Sequence, residues 1–307
     1  MTASNQVKTS KIARILTVLA LIAVVSVLTG CGSDESSDNG ATGTDGASIT
    51  GTFNEEAAAK VPAAIKDAGT LSVAMDASYA PNEFFDEDGK TIIGTDADLA
   101  DAIGTVLGLE VEKKNATFDS IIPGLEAGKY DIALSSFTDT KEREKTVDMV
   151  TYLTAGTGFY TSADKPTEVT GVEDLCGKTV AVQKGTVQQE DVEAQNEKCD
   201  DPIDLKVFTQ QTDVDLAISS GRAQVAMADS PVASYAVKQS DGTLKSTGTD
   251  YDTAPYGIAI NKKTGLTPAI QAAVQVLIDD GTYAAILKKW GLESGAITES
   301  KINDGVE

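Results

Sequence analysis

The stretch that most narrows the choice of fold is residues 130–143, YDIALSSFTDTKER. Tyr130, Ile132 and Leu134 alternate with Asp131 and Ala133, which is strand spacing, and the apolar run stops at Ser135. A polar turn and a charged helix start follow. The spacing therefore predicts a strand, a turn and a helix, the repeating unit of an open α/β sheet, where ligands sit beyond the carboxyl ends of the strands. Ser135, Ser136 and Thr138 place hydroxyls at that end. Arg143 comes a helical turn later, with a planar fork of donors that suits a carboxylate held bidentately. The competing reading is a helix-capping turn with the arginine in a surface salt bridge, and the rest of the chain decides between them.

Residues 1–30 contain Lys8, Lys11 and Arg14, then an uncharged apolar run over residues 15–28. A basic start and an apolar core too short for a comfortable membrane span read as a signal peptide. Leu28, Thr29, Gly30 and Cys31 resemble the lipobox of bacterial lipoproteins, in which the cysteine is lipidated and becomes the mature N-terminus. The resemblance implies stable anchoring through Cys31 by more than one acyl chain, with the protein displayed on the outer face of the cell membrane. Residues 31–51, the cysteine and a stretch rich in Gly, Ser, Asp and Thr, bury too little apolar surface to offset the entropy of ordering and read as a flexible tether.

Charge and composition exclude several functions. The chain has 47 acidic against 25 basic residues, and loss of the leader removes only basic ones. Such a chain repels phosphate backbones, so nucleic acid is not a partner. It has no histidine, which excludes His-dependent triads and zinc sites of the His type. No metal, cofactor or catalytic residue is expected. With Cys31 assigned to the lipobox, Cys176 and Cys199 are left, and in an oxidising compartment they are expected to form a disulfide.

From about residue 52 the chain is long enough for two lobes with cores of their own. Thr52 to Glu55 has capping-box spacing ahead of an alanine-rich helix, with Gly69 as its stop. An apolar strand, residues 71–75, leads into an aromatic and a proline (Tyr79, Pro81), an acidic turn ending in Gly89, then Gly94 and the run Asp96, Ala97, Asp98, Leu99. This order, followed by residues 130–143, closely resembles the family 3 extracellular solute-binding proteins, the polar amino-acid receptors of ABC importers. The resemblance covers nearly all of residues 70–292 and implies an α/β, two-lobe periplasmic-binding-protein-like (type II) fold with a two-strand hinge. Its expected lobes are residues 52–157 with 256–307, and residues 158–255.

Carried over position by position, the resemblance implies that Arg143 with Ser135, Ser136 and Thr138 grips the α-carboxylate of a bound amino acid. Thr186 and the N–H of Gln188 would meet the same carboxylate from a helix N-terminus in the second lobe. Asp229, at the end of a strand, would accept the α-ammonium, because an unpaired desolvated charge costs several kcal/mol. Asp76, Tyr79, Phe118 and Gln183 would line the side-chain pocket. Core packing is the alternative for Tyr79 and Phe118, and capping of the next helix is the alternative for Asp229; Trp290 reads as core. The chain departs from the family at Asn82 and Glu83, where many members have Phe directly after the proline, and at Gln224, where an acidic residue is usual.

The function this implies is capture of an amino acid by hinge closure and delivery to a membrane permease, by a monomer held at the membrane through its lipid alone. Asp76, Asn82, Glu83 and Gln183 point to a polar or cationic ligand side chain. The alternative is an enzyme on the same scaffold, a dehydratase or lyase acting on a small carboxylate, with a buried carboxylic acid in place of histidine. Free-thiol labelling of the folded, unreduced protein is expected to leave Cys176 and Cys199 unmodified, and labelling of both would refute their pairing.

Overall fold

The computed structural model describes residues 49–307. The expected signal peptide, the lipidation site Cys31 and nearly all of the tether lie outside the described residues.

Two short helices open the described chain, α1 (Glu55–Ala58) and α2 (Ala63–Ala68). The first is capped by Asn54, whose side-chain oxygen accepts from the Ala57 N–H at 3.0 Å, and not by Thr52 as the capping-box spacing predicts. Pro62 divides the alanine-rich stretch, since proline lacks a donor and blocks the preceding turn; Gly69, left-handed at φ 71°, ends the second helix as expected.

A first α/β half follows: β1 (Thr70–Met75), β2 (Ser78–Tyr79), β3 (Glu83–Phe85), β4 (Ile92–Ile93), α3 (Thr95–Leu107), β5 (Glu110–Asn115), α4 (Phe118–Glu126), β6 (Ile132–Ala133) and α5 (Lys141–Thr146). The long strand β7 (Val147–Ser162) leaves it for a second half made of β8 (Thr179–Gln183), α6 (Val187–Asn196), β9 (Asp204–Phe208), α7 (Gln211–Ser219), β10 (Val225–Asp229) and α8 (Ser230–Gln239). An equally long strand, β11 (Leu244–Asn261), returns to α9 (Thr267–Asp279) and α10 (Thr282–Trp290).

Eight strands form one sheet in the order β5-β1-β6-β11-β7-β10-β8-β9. In the first half β1 is parallel to β5 and β6, and in the second β8 is parallel to β9 and β10. The antiparallel pair β7 and β11 joins them, and its ladder shifts register near Thr247, Tyr251 and Tyr256. Such irregularities bend strands, and here they fall where the pair passes from one half to the other.

Both sheet faces are covered, which explains the nearly continuous apolar strands. Leu71, Val73 and Met75 of β1 pack with α3 and α9, while Ala74 faces Phe118, Ile121 and Leu125 of α4. In β10, Ala226 and Ala228 face α7 and α8, while Val225 and Met227 face the cluster holding Val192 of α6. Trp290 packs against the core as expected, but at its edge. It is only partly buried, donates its indole N–H to Asp98 at 2.7 Å and meets Phe84 edge-on at 5.8 Å.

Cys176 and Cys199 form the expected disulfide, with Cα atoms 5.4 Å apart, and tie the turn before β8 to the chain just after α6. Closing a loop of this length restricts the unfolded chain, so replacing both cysteines by alanine is expected to lower the unfolding free energy by about 2–4 kcal/mol, read by chemical denaturation.

Candidate ligand-binding site

The carboxyl ends of the parallel strands in the two halves point at each other, and their loops meet in a small cavity. From the first half, the connection between β6 and α5 supplies Ser136, Thr138 and Arg143. Ser136 is held in the left-handed region at φ 53°, a conformation that serine adopts only when its surroundings enforce it. Three groups do so. Its N–H donates to Asp96 Oδ2 at 3.0 Å, its hydroxyl accepts from the Asn82 amide at 2.8 Å, and that hydroxyl also reaches Glu83 at 3.4 Å.

Arg143 is oriented from several sides. Thr140 caps α5 by accepting from the Arg143 N–H at 3.2 Å. The guanidinium donates to the carbonyl of Thr138 at 2.9 Å and, across the cavity, to that of Gly185 at 3.1 Å. It lies 5.6 Å and 5.3 Å from the ring centres of Phe118 and Phe137, which stack on each other at 4.3 Å. Burial lowers its pKa, and the negative charges of Glu190 and Asp229 oppose that shift.

The second half closes the cavity with Gln183, Thr186, Gln188 and Asp229. Thr186 caps α6, and its hydroxyl donates back to the Gln183 carbonyl at 2.8 Å. Asp229 stands at the cap position of α8, yet its side chain makes no capping bond, so the helix-cap reading fails. Pro231 removes one of the N–H groups a cap would use, and the carboxylate turns into the cavity. There it accepts from the Tyr79 hydroxyl and from the Gln188 amide, each at 2.8 Å, while its own N–H donates to Tyr79 at 3.0 Å. Burial raises its pKa against these hydrogen bonds.

Nine of the sequence-derived residues therefore meet around one cavity: the four just named with Tyr79, Phe118, Ser136, Thr138 and Arg143; Val187 was not expected there. Asp76 and Ser135 stand behind the lining. The Asp76 carboxylate accepts from the Phe118 N–H at 2.9 Å and from Ser78 and Gln183 at 2.8 Å each, the last contact reaching across the two halves. The Ser135 hydroxyl donates to Glu83 at 2.8 Å and accepts from the Asp76 N–H at 2.9 Å.

Three residues support the site in roles the sequence did not show. Glu83 and Asp96 are fully buried and hydrogen-bonded to each other, and the Tyr152 hydroxyl donates to Asp96 at 2.8 Å. Burial, reinforced by the charge of Asp96, pushes Glu83 well above the usual carboxylate range; burial pushes Asp96 up to about 6. The pair thus holds a proton beneath the Ser135 and Ser136 turn. Tyr256, on β11 where it passes between the halves, buries a hydroxyl that faces Asp229 and completes no hydrogen bond of good geometry among the described residues. Asp96 is visible in the sequence only as part of a helix start, and Tyr256 carries no signal beyond its place in the returning strand; Glu83 and Asn82 were read as pointing to the ligand side chain, but they lie outside the cavity lining and hold Ser135 and Ser136 instead.

Two α/β halves joined by a long strand pair, with a polar, charged cavity between them, define a two-lobe binding protein for a small polar ligand. Residues 71–293 match the bacterial extracellular solute-binding proteins, family 3, and the chain belongs to that family. It is 37% identical over 254 residues to the arginine-binding protein ArgT of Corynebacterium glutamicum, covering 81% of this chain and 83% of that one. Among solved structures it is similar to an ancestral arginine-binding protein bound to arginine, at 36% identity and a TM-score of 0.69, covering 72% of this chain and 98% of that one. It is also similar, at 35% identity and a TM-score of 0.67, to the ancestral amino acid-binding protein AncCDT-1, a precursor of cyclohexadienyl dehydratase, covering 74% of this chain and 97% of that one.

The carboxyl pair sets a pH dependence. The folded protein keeps a proton on Glu83 and Asp96 that the unfolded chain releases above ordinary carboxylate pKa values. Folding therefore takes up protons above those ordinary values, and stability falls as pH rises through the raised ones, about 6 for Asp96 and well above the usual carboxylate range for Glu83. The unfolding temperature of the ligand-free protein is expected to be lower at about pH 7.5 than at about pH 5, with a shallower slope in Glu83→Gln.

Proposed function

We propose that this chain is the extracytoplasmic receptor of an amino-acid ABC importer and that it captures a cationic amino acid, arginine foremost, between its lobes. The carrying observation is the charge balance of the site: one guanidinium, Arg143, stands against two carboxylates, Asp229 on the cavity and Asp76 just behind Gln183. A zwitterion satisfies Arg143 and Asp229. A cationic side chain then matches Asp76, for which the Gln183 amide now acts as the neutral partner. Tyr79 and Phe118 flank the path between these ends. The naming of ArgT as an arginine-binding protein and the arginine-bound ancestral structure support the same ligand.

Binding works by closure of residues 158–255 onto residues 52–157 with 256–307, about the β7 and β11 pair as hinge. The pairs Tyr79 with Asp229, Asp76 with Gln183, and Arg143 with Gly185 span the cleft, so they exist only when it is shut. A ligand that bridges the same groups favours the closed form by its differential affinity. The loaded form, tethered through lipid at Cys31 and acting as a monomer, then docks on the permease. An enzyme reading would draw its acid from Asp76, Glu83 or Asp229, all raised by burial, and Glu83, reinforced by the charge of Asp96, lies well above the usual carboxylate range. The Glu83 carboxyl is engaged by Ser135 and Asp96 behind the lining, which favours binding over catalysis.

L-arginine at about a hundred times its dissociation constant is expected to stabilise the protein by about 2.7 kcal/mol in thermal-shift measurements. In calorimetry, Arg143→Ala and Asp229→Ala should each weaken arginine by more than about tenfold, or roughly 1.4 kcal/mol. Asp76→Asn should weaken arginine more than glutamine. Equal losses for both ligands would remove Asp76 from the side-chain role, and no stabilisation by any amino acid would overturn the receptor reading.

A further inference from the structure

The family match ends at residue 293, and the chain continues for a further stretch that does not hang free. Residues 300–303 run antiparallel along the start of β7, on the edge that β11 leaves open. Ser300 donates its hydroxyl to the Thr151 carbonyl, and Thr151 and Lys301 exchange bonds at 2.8 Å and 2.9 Å. Asn303 donates its N–H to the Met149 carbonyl and accepts the Met149 N–H on its side chain, both at 2.8 Å. Ile302 bridges Val150.

The tail then turns onto the element that carries Arg143. The Val306 N–H donates to the Asp139 carbonyl at 3.0 Å, and the Lys141 N–H donates to the Val306 carbonyl at 2.8 Å. The Gly305 N–H donates to Glu144 at 2.9 Å, and the Asp304 N–H to the Asp139 carboxylate at 3.2 Å. The fit is close: a Cβ on Gly305 would stand 2.6 Å from the Asp139 carboxylate and 2.7 Å from its carbonyl. Val306 and Glu307 also line the acidic recess that shares Thr138, Val187 and Asp229 with the ligand cavity.

The clamped element cannot hold itself. α5 has six residues, none of them buried, and so short a helix is unstable without outside contacts. We propose that the C-terminal tail, residues 300–307, is a positioning element of the ligand site, clamping residues 138–144 so that Arg143 is presented to the ligand carboxylate. This rests on the receptor reading for the ligand, and on the tail's own contacts for the clamp.

The test compares the wild-type chain with Gly305→Val and with a chain ending at Lys301. Amide hydrogen exchange of residues 139–146 without ligand should quicken in both variants, while residues 187–196 stay unchanged. The dissociation constant for L-arginine should rise at least about tenfold in both. In an Arg143→Lys background, truncation should add much less than it does in the wild type, the non-additivity expected when the tail acts through Arg143. Unchanged exchange at 139–146, an affinity within about twofold of wild type, or full additivity would each overturn the clamp. A wild type that binds no amino acid would fail the receptor reading, and the exchange experiment would still decide the clamp.

Discussion

The antiparallel pairing of β7 with β11 is the constraint on which the rest of the structure depends. Both strands are far longer than an ordinary strand, sixteen and eighteen residues, and each contributes its two ends to different halves. Backbone hydrogen bonds run along the pair from Asn261 with Val147 to Leu244 with Ser162, interrupted only near Thr247, Tyr251 and Tyr256. The β6 strand adds beside β11 at one end and β10 beside β7 at the other, so that two parallel half-sheets grow from one ladder. Because each half lifts the carboxyl ends of its parallel strands toward the other, the loops after β1, β6, β8 and β10 converge on one cleft.

Within that cleft, burial and charge are in tension. Asp76, Asp229, Glu83 and Asp96 are all nearly inaccessible, and each is pushed toward its neutral form by desolvation. The protein resolves this in two ways. Asp76 and Asp229 are supplied with several donors apiece, which favours their charged form against desolvation. Glu83 and Asp96 have no cation among their hydrogen-bond partners within the described residues and share a proton instead, so they act as a brace beneath Ser136, whose left-handed backbone they and Asn82 sustain. Gly94 makes that arrangement possible, since a Cβ there would lie 2.1 Å from the Asn82 carbonyl.

Much of the cavity lining was legible in the sequence because these residues sit at ends of strands and starts of helices, where polar residues interrupt apolar runs. Ser136, Thr138 and Arg143 follow β6; Thr186 and Gln188 follow β8; Asp229 ends β10. What was not legible is long-range pairing. Asp76 and Gln183 were each expected at the ligand, yet nothing in the sequence pairs them across more than a hundred positions. Glu83 and Asp96 carry no mark of the proton they share, and the tail reads as an unremarkable polar end although it grips Asp139 and Glu144. Trp290, with the size and spacing of a core residue, packs at the core's edge, where its indole N–H meets Asp98.

The sequence by itself determined the alternation of strands and helices, the positions of the turns, the cysteine pair and the absence of any histidine chemistry, because periodicity, capping and composition are local properties of the chain. Only the tertiary structure decided which carboxylates face the cavity and which share a proton, that Asp229 turns away from the helix it begins, and that the last eight residues brace the helix of Arg143. Those outcomes depend on desolvation and on contacts between distant segments, and neither exists until the two halves are folded around their common strands.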